Sequence, residues 1–485
     1  MPFYLKKLLI SASKTPSETE INQQFKPLPL VGIITAAIFI FFLCSTVRHA
    51  LFQSDAWDLG IFDQAIYLIS QGQPPISSIL GFHILGDHAA FVFYPLALLY
   101  KLSPNVHWLF VVQSVSLALG ALPIWYLSQH AGLKATQAKA LALVYLLYPL
   151  VFNINLFDFH PEVIALPTFL GAILAAFLGE IWWFCLAILL ILSCKAVLSL
   201  TVVAMGVWLL LFEKRRWCGG IAIAAGVSWF LIAILWVIPM FGGEAATLGR
   251  HLSRYSELGN SFPEIIKNIL FKPQLALGQI FSLTTLEYLG LLLFPVIWGL
   301  SPQHLAPLVG AIPTLAMNLL AESSTQRNLV HQYSLPILPF LLLTVISTMA
   351  TGKGWLRYQR GIILWSLAAF LALGKYGYFG SIYLNSLDTW NASRKAIAQI
   401  HTQGGVLTSS SIAPHLSHRP IIKLTNAGSE SSDLNEFEYI LLNQRHPGFG
   451  STPEVIPHLL ERLQKTPGFQ LIYQRDDVYL FRKKV

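Results

Sequence analysis

Charge is scarce in this sequence. Asp, Glu, Lys and Arg make up 12% of its 485 residues, about half the share a soluble chain carries. So few charges could not cover the surface of a water-soluble protein this long, and an estimate of soluble domains from length does not apply. Cysteine is scarce too. Cys44, Cys185, Cys194 and Cys218 lie in or beside apolar runs without metal-ligand spacing and read as small core residues. The long apolar runs do not alternate with polar residues, which argues against a transmembrane β-barrel. Glycine patterns that cradle phosphate, a serine elbow and a His-Glu-x-x-His zinc motif are all missing. Lys and Arg outnumber Asp and Glu by 32 to 24, but they form no patch. They sit in short clusters between apolar runs, where topology signals belong. Nucleic acid is therefore not an expected partner; the lipid bilayer is.

What the chain has is hydrophobic residues, 54% of the total. They recur in runs from about residue 30 to 379, most of them long enough to cross a bilayer as helices. Helices satisfy their own backbone groups, which lipid cannot do. The expected fold class is an all-α polytopic membrane protein with about eleven transmembrane helices and a small C-terminal α/β soluble domain. The spans fall at about 30–50, 106–129, 136–153, 161–179, 181–197, 199–212, 217–240, 281–300, 303–321, 334–350 and 361–379. Residues 1–29 are mostly polar with no small-residue cleavage site, so the first run reads as a retained helix. Lys6, Lys7, Lys14 and Lys26 place that segment in the cytoplasm. Lys134, Lys139, Lys214-Arg215-Arg216, Lys353, Arg357 and Arg360 then fall on the same side. The transmembrane domain is expected over 30–383, with outer loops at 51–105 and 241–280. The run 91–102 is short and contains Pro95. Counting it as a span would put Lys134 and Lys139 outside, so it reads as an interfacial or re-entrant helix. The expected location is a bacterial inner (plasma) membrane.

After about residue 383 the composition turns soluble. Short strands are expected at 406–409, 421–424, 439–442, 469–473 and 478–481, with an amphipathic helix at 453–464. The domain 384–485 is expected outside the membrane. His415, His418 and Arg419 form either a site or ordinary loop polarity.

Ionisable residues collect at the outer ends of the spans, where charge near lipid is costly. Asp55, Asp58 and Asp63 share the first outer loop. A carboxylate there suits a general base, an oxygen ligand for a divalent cation, or a helix N-cap. Nothing in the sequence requires a cation. Asp87-His88 is a second acid–imidazole pair, or simply a turn. Phe157-Asp158-Phe159-His160-Pro161-Glu162 sets three ionisable groups between aromatics. Pro161 and Glu162 also suit a helix start. Lys195, expected near the outer end of the fifth span, either snorkels to the interface or meets an anionic head group. The loop Glu322, Gln326, Arg327, His331, Gln332 and Tyr333 offers Arg327 and His331 for a phosphate.

Several of these runs together resemble a known family. They are Asp58-Leu-Gly-Ile-Phe-Asp63-Gln64, Gly86-Asp87-His88, Gly120-Ala-Leu-Pro123, Tyr145-Leu-Leu-Tyr148-Pro149, the Phe157–Glu162 run, His415-Leu-Ser-His418-Arg419 and Val478-Tyr-Leu-Phe-Arg482. The family is the bacterial membrane family called domain of unknown function 2079, and the similarity covers most of the chain. That family resembles the polytopic glycosyltransferases of the C-type fold (GT-C). The resemblance implies a polyprenyl-phosphate-linked sugar donor and transfer to a cell-envelope acceptor on the outer face. It implies a catalytic base in the first outer loop, Asp58, with Asp63 as the rival. Lys195, His160, Arg327 or His331 would meet the leaving phosphate, and His88, Asp158 and Glu162 are further substrate contacts. Ala196 and Val197 follow Lys195 where family members often carry acids, and Ala89-Ala90-Phe91 replaces a usual Phe-Ser-Pro. The alternatives are a transporter or flippase for a lipid-linked or anionic solute, or a non-catalytic envelope assembly factor.

Overall fold

The computed structural model describes residues 28–243, 253–426 and 433–484. The N-terminal lysines and residues 244–252 of the loop 241–280 lie outside the described residues. Within them the apolar runs form helices. The first, α1 (Leu28–Ala50), keeps much of its surface free, with only 22% of its most apolar stretch buried. The helical stretch Arg216–Gly242 is 17% buried, whereas Gln332–Ala350 is 89% buried. The first two therefore face the surroundings and the third is the centre of the bundle. A helix apolar on all sides sits where every side meets lipid or protein.

The expected count of about eleven spans is met only in part. Among the described residues four helices are long and apolar enough to cross a membrane, and up to seven if each of three bent pairs counts as one span. The bends have local causes. Ala135–Leu146 and Pro149–Asn155 meet at 44°, where Pro149 opens the second helix. Four shorter apolar helices complete the bundle. They are α2 (Glu162–Leu178), α3 (Ile181–Cys194), α4 (Leu198–Leu211) and the stretch Ala306–Leu320. The run 91–102 forms only the ten-residue helix Phe93–Leu102.

The C-terminal strands appear close to where they are expected: β1 (Val406–Thr408), β2 (Ile422–Leu424), β3 (Tyr439–Asn443), β4 (Phe469–Arg475) and β5 (Val478–Lys483). The sheet order is β2-β1-β3-β5-β4, parallel across the first three strands and antiparallel beyond. Central β3 is buried throughout and reads as a continuous apolar run. Edge strand β4 is largely exposed. The amphipathic helix Val455–Lys465 covers one face with Val455, Ile456, Leu459, Leu460 and Leu463. Each such side chain stabilises by about 1.5–3 kcal/mol when fully buried. The helix Leu387–Ile397, which the sequence pattern does not announce, packs on the other face. Phe52 and Ala56, from just beyond α1, enter that same core.

The sheet is thus fastened to the loop 51–105. Ala56 N–H donates to the Ser410 carbonyl at 2.9 Å. Gln64 Nε2 donates to the Arg419 carbonyl at 3.0 Å. Ser78 Oγ both donates to the Ile422 carbonyl and accepts from its N–H, each at 2.8 Å.

Candidate active site

Beyond α1 the chain turns through Phe52, whose backbone is left-handed (φ 59°). Such a non-glycine residue costs about 1–3 kcal/mol and persists only where its surroundings fix it. Asp55 then caps a π-helical turn, Ala56–Gly60, by accepting from Trp57 N–H at 2.9 Å. Wide turns of this kind occur often at functional sites. Here the turn presents Trp57 and Asp58. Burial pushes the Asp55 carboxyl up to about 6 against the pull of the Trp57 N–H.

The Asp58 side chain is 28% exposed, and its Oδ1 lies 3.1 Å from His160 Nε2. His160 is buried, and its Nδ1 lies 3.0 Å from the Asp158 carbonyl. A carbonyl and a carboxylate can only accept, so both ring nitrogens carry protons and the ring is an imidazolium. Burial alone would raise Asp58 and lower His160, but the charge and hydrogen bond each gives the other, with His331 and Arg48 near Asp58 and Glu162 near His160, together outweigh it. Asp58 is held below its ordinary range and His160 above it.

Asp158 itself points away from this pair. Its Oδ1 meets Arg48 Nη1 at 2.5 Å, and its Oδ2 accepts from Asp55 N–H at 2.9 Å. Arg48 also donates to the Phe157 carbonyl at 2.9 Å. The Phe157–Glu162 run is therefore pinned to the end of α1, and that holds His160 in place.

Lys195 is not inside the fifth span, as expected from its apolar surroundings. It is the extended residue that ends α3 (φ −164°, ψ 136°), in the break before α4. The break is stitched by Ala196 N–H donating to the His88 carbonyl at 2.9 Å. Lys195 Nζ meets Glu162 Oε1 at 2.7 Å, and both side chains are under 10% exposed. Glu162 Oε2 is buried with no hydrogen-bond partner.

These groups line one cavity of about 390 Å3. Asp58, His88, His160, Glu162 and Lys195 all reach it, so five of the nine expected site residues converge. Asp87 accompanies His88, 3.2 Å away. The helical stretch Arg216–Gly242 supplies an apolar wall. Phe230, Ile234 and Ile238 recur on it every four residues and so share one face.

The other four expected residues do not line this cavity. Asp158 is taken up by Arg48. Asp63 is fully buried elsewhere, accepting from Tyr100, Ser417 and His418. Arg327 makes only long contacts of 3.4 Å to Ser282, Thr285 and the Glu322 carbonyl. His331 bonds Asn328 at 2.9 Å and packs edge-on against Phe157. From their loop it is instead Gln326, Gln332 and Tyr333 that reach the cavity.

Arg254 and Tyr255 also line it, and sequence reasoning missed them. They fall in the loop 241–280, where no apolar period marks one basic residue above another. An adjacent basic–aromatic pair was the only signal. The Arg254 guanidinium lies over the Tyr333 ring, 5.3 Å from its centre. Among the described residues no three His, Cys, Asp or Glu side chains converge to hold a metal ion.

A mostly helical chain with a small C-terminal sheet and this cavity has a recognisable class. The crystal structure of ArnT from Cupriavidus metallidurans bound to undecaprenyl phosphate matches with a TM-score of 0.51 at 12% identity, over 94% of this chain and 98% of that one. The apo structure of the same protein gives 0.51 and 12%, over 93% and 98%. The chain therefore has the fold of ArnT. The chain belongs to the family described as "Predicted membrane protein (DUF2079)", which matches residues 48–480. No curated protein sequence matches it.

Proposed function

We propose that this protein is a membrane glycosyltransferase that moves a sugar from a polyprenyl-phosphate donor to an envelope acceptor. The observation that carries the reading is one cavity combining the carboxylate of Asp58, the cations Lys195 and Arg254, and the apolar wall of Phe230, Ile234 and Ile238. A base, an anion site and a lipid-facing wall are the three things such a donor needs. The fold likeness to ArnT, whose crystal structure holds undecaprenyl phosphate, supports the lipid-linked donor.

In this reading the acceptor hydroxyl sits beside Asp58. Its oxygen attacks the anomeric carbon while Asp58 takes its proton. The bond between the anomeric carbon and the phosphate oxygen breaks, and polyprenyl phosphate leaves with one more negative charge. Lys195 and Arg254 meet that charge in a partly dehydrated cavity. His160 keeps Asp58 ionised before the proton arrives and fixes its orientation. Asp58 rather than Asp63 is the base, because Asp63 opens on a different cavity.

The reading carries a topology with it. In this reading the four long helices, the three bent pairs and the four short apolar helices would each cross a bacterial inner membrane, eleven times in all. The N-terminal segment is cytoplasmic. The cavity and the unit 384–485 lie on the outer face.

The test uses the full chain in proteoliposomes with a polyprenyl-phosphate donor carrying a labelled sugar, and total envelope extract as acceptor. Release of polyprenyl phosphate with transfer of label is expected. Asp58→Asn should slow it by about 100-fold or more. Transfer undiminished in that variant removes the base assignment, and solute flux without bond transfer replaces the enzyme by a carrier.

A further inference from the structure

A second cavity, of about 370 Å3, lies where the end of α1 and the start of the helix His107–Leu119 face the C-terminal unit. Its size is within the range of small-molecule sites, about 300–1,000 Å3. Asp63, five residues beyond Asp58, opens on this cavity instead of the first.

Its lining is polar but electrically spent. Asp63 is fully buried and accepts from the Tyr100 and Ser417 hydroxyls, with His418 Nε2 at 3.1 Å as its counter-ion. The Arg419 guanidinium is committed to backbone carbonyls, Nε to Leu416 at 2.6 Å and Nη1 to Gly404 at 2.7 Å. His415 stacks on His49 at 3.9 Å, with His107 edge-on to His49 at 6.2 Å. Burial, with His107 nearby and against a hydrogen bond to the His49 backbone, pushes the His415 ring down to about 4, so it is neutral at physiological pH. Asp63 is thus paired with His418, and the remaining charge, on Arg419, is bound to carbonyls with Glu438 as its nearest counter-charge.

Hydrogen-bonding capacity is left. His415 Nε2 is buried without a partner, and an unmet buried polar atom costs about 1–3 kcal/mol. Asp63 has used three of roughly four acceptor positions. At the exposed mouth stand two amides: Gln403, which can donate and accept at once, and Asn105, whose oxygen is taken by His107 but whose NH2 can donate.

We propose that this second cavity is a binding site for a neutral, polyhydroxylated ligand, a saccharide unit. Only such a ligand supplies many paired donors and acceptors without bringing charge. Hydroxyls would satisfy His415 Nε2 and the remaining lone pair of Asp63, while Asn105 and Gln403 close the mouth. The site is separate from the transfer cavity, and binding is read without turnover, so its failure and the failure of the transfer reading are distinct results.

The test is saturation-transfer NMR on the full chain in nanodiscs. The probes are methyl α-glucoside, methyl α-mannoside, methyl β-galactoside and N-acetylglucosamine. At least one is expected to show transfer. Gln403→Trp fills the mouth from an exposed rim position and leaves the buried floor untouched. It should weaken binding about tenfold or more. The proposal is overturned if none of the four probes shows transfer. It is equally overturned if the signal survives Gln403→Trp, since the sugar then sits elsewhere.

Discussion

The pair Arg48–Asp158 gives the most direct test of how the site is built. Asp158 is 1% exposed and Arg48 10%, with Nη1 and Oδ1 at 2.5 Å. The partner groups of the carboxylate are Arg48 and the Asp55 N–H. Arg48→Met keeps the bulk of the side chain and removes the charge. Asp158 is then a buried carboxylate with one neutral donor. Breaking a buried pair from one side costs about 3–5 kcal/mol, because the remaining ion is uncompensated. Replacing both partners by apolar residues is far milder, since no stranded charge remains. The double variant Arg48→Met, Asp158→Leu should therefore be more stable than Arg48→Met alone. Heating in detergent, followed by size-exclusion of the surviving monodisperse fraction, reads this. Arg48→Met should lose about 5 °C or more in midpoint, and the double variant should recover most of it. If the single variant melts like the parent, or the double melts no higher than the single, the buried ion pair is not what fixes the Phe157–Glu162 run.

His160→Gln removes the imidazolium that holds Asp58 low, while the burial that pushes Asp58 up remains. The carboxylate is then lost at a higher pH as pH falls. The acid limb of kcat/KM should move up by about one unit or more, and an unmoved limb would separate His160 from Asp58. Gly86 has no room for a side chain, because a Cβ there would overlap the Gly242 backbone. Gly86→Ala should cost about 1–3 kcal/mol by parting the Asp87–His88 turn from the end of the helical stretch Arg216–Gly242. A thermal midpoint equal to the parent's would contradict that packing.

Much of this protein was written locally. Scarce charge and continuous apolar runs determine helices in lipid, because a backbone without water must bond to itself. Alternation and apolar period likewise place the five C-terminal strands and the helix Val455–Lys465 within a few residues. The closeness of Asp58 to His160 was legible only as two polar islands expected at the same rim. Tertiary structure decided the rest. Asp58 and Asp63 differ by five residues, roughly 140° around a helix, and only packing shows that they serve different cavities. Lys195 sits in a run apolar enough to continue as helix, yet the chain breaks there, where its ammonium meets Glu162 and Ala196 N–H meets the His88 carbonyl. Arg254 and Tyr333 are far apart in the chain and meet only in the folded bundle. Period and composition report on a residue's neighbours in sequence. A site is made by which loop ends the helices bring together, and that depends on contacts no local pattern contains.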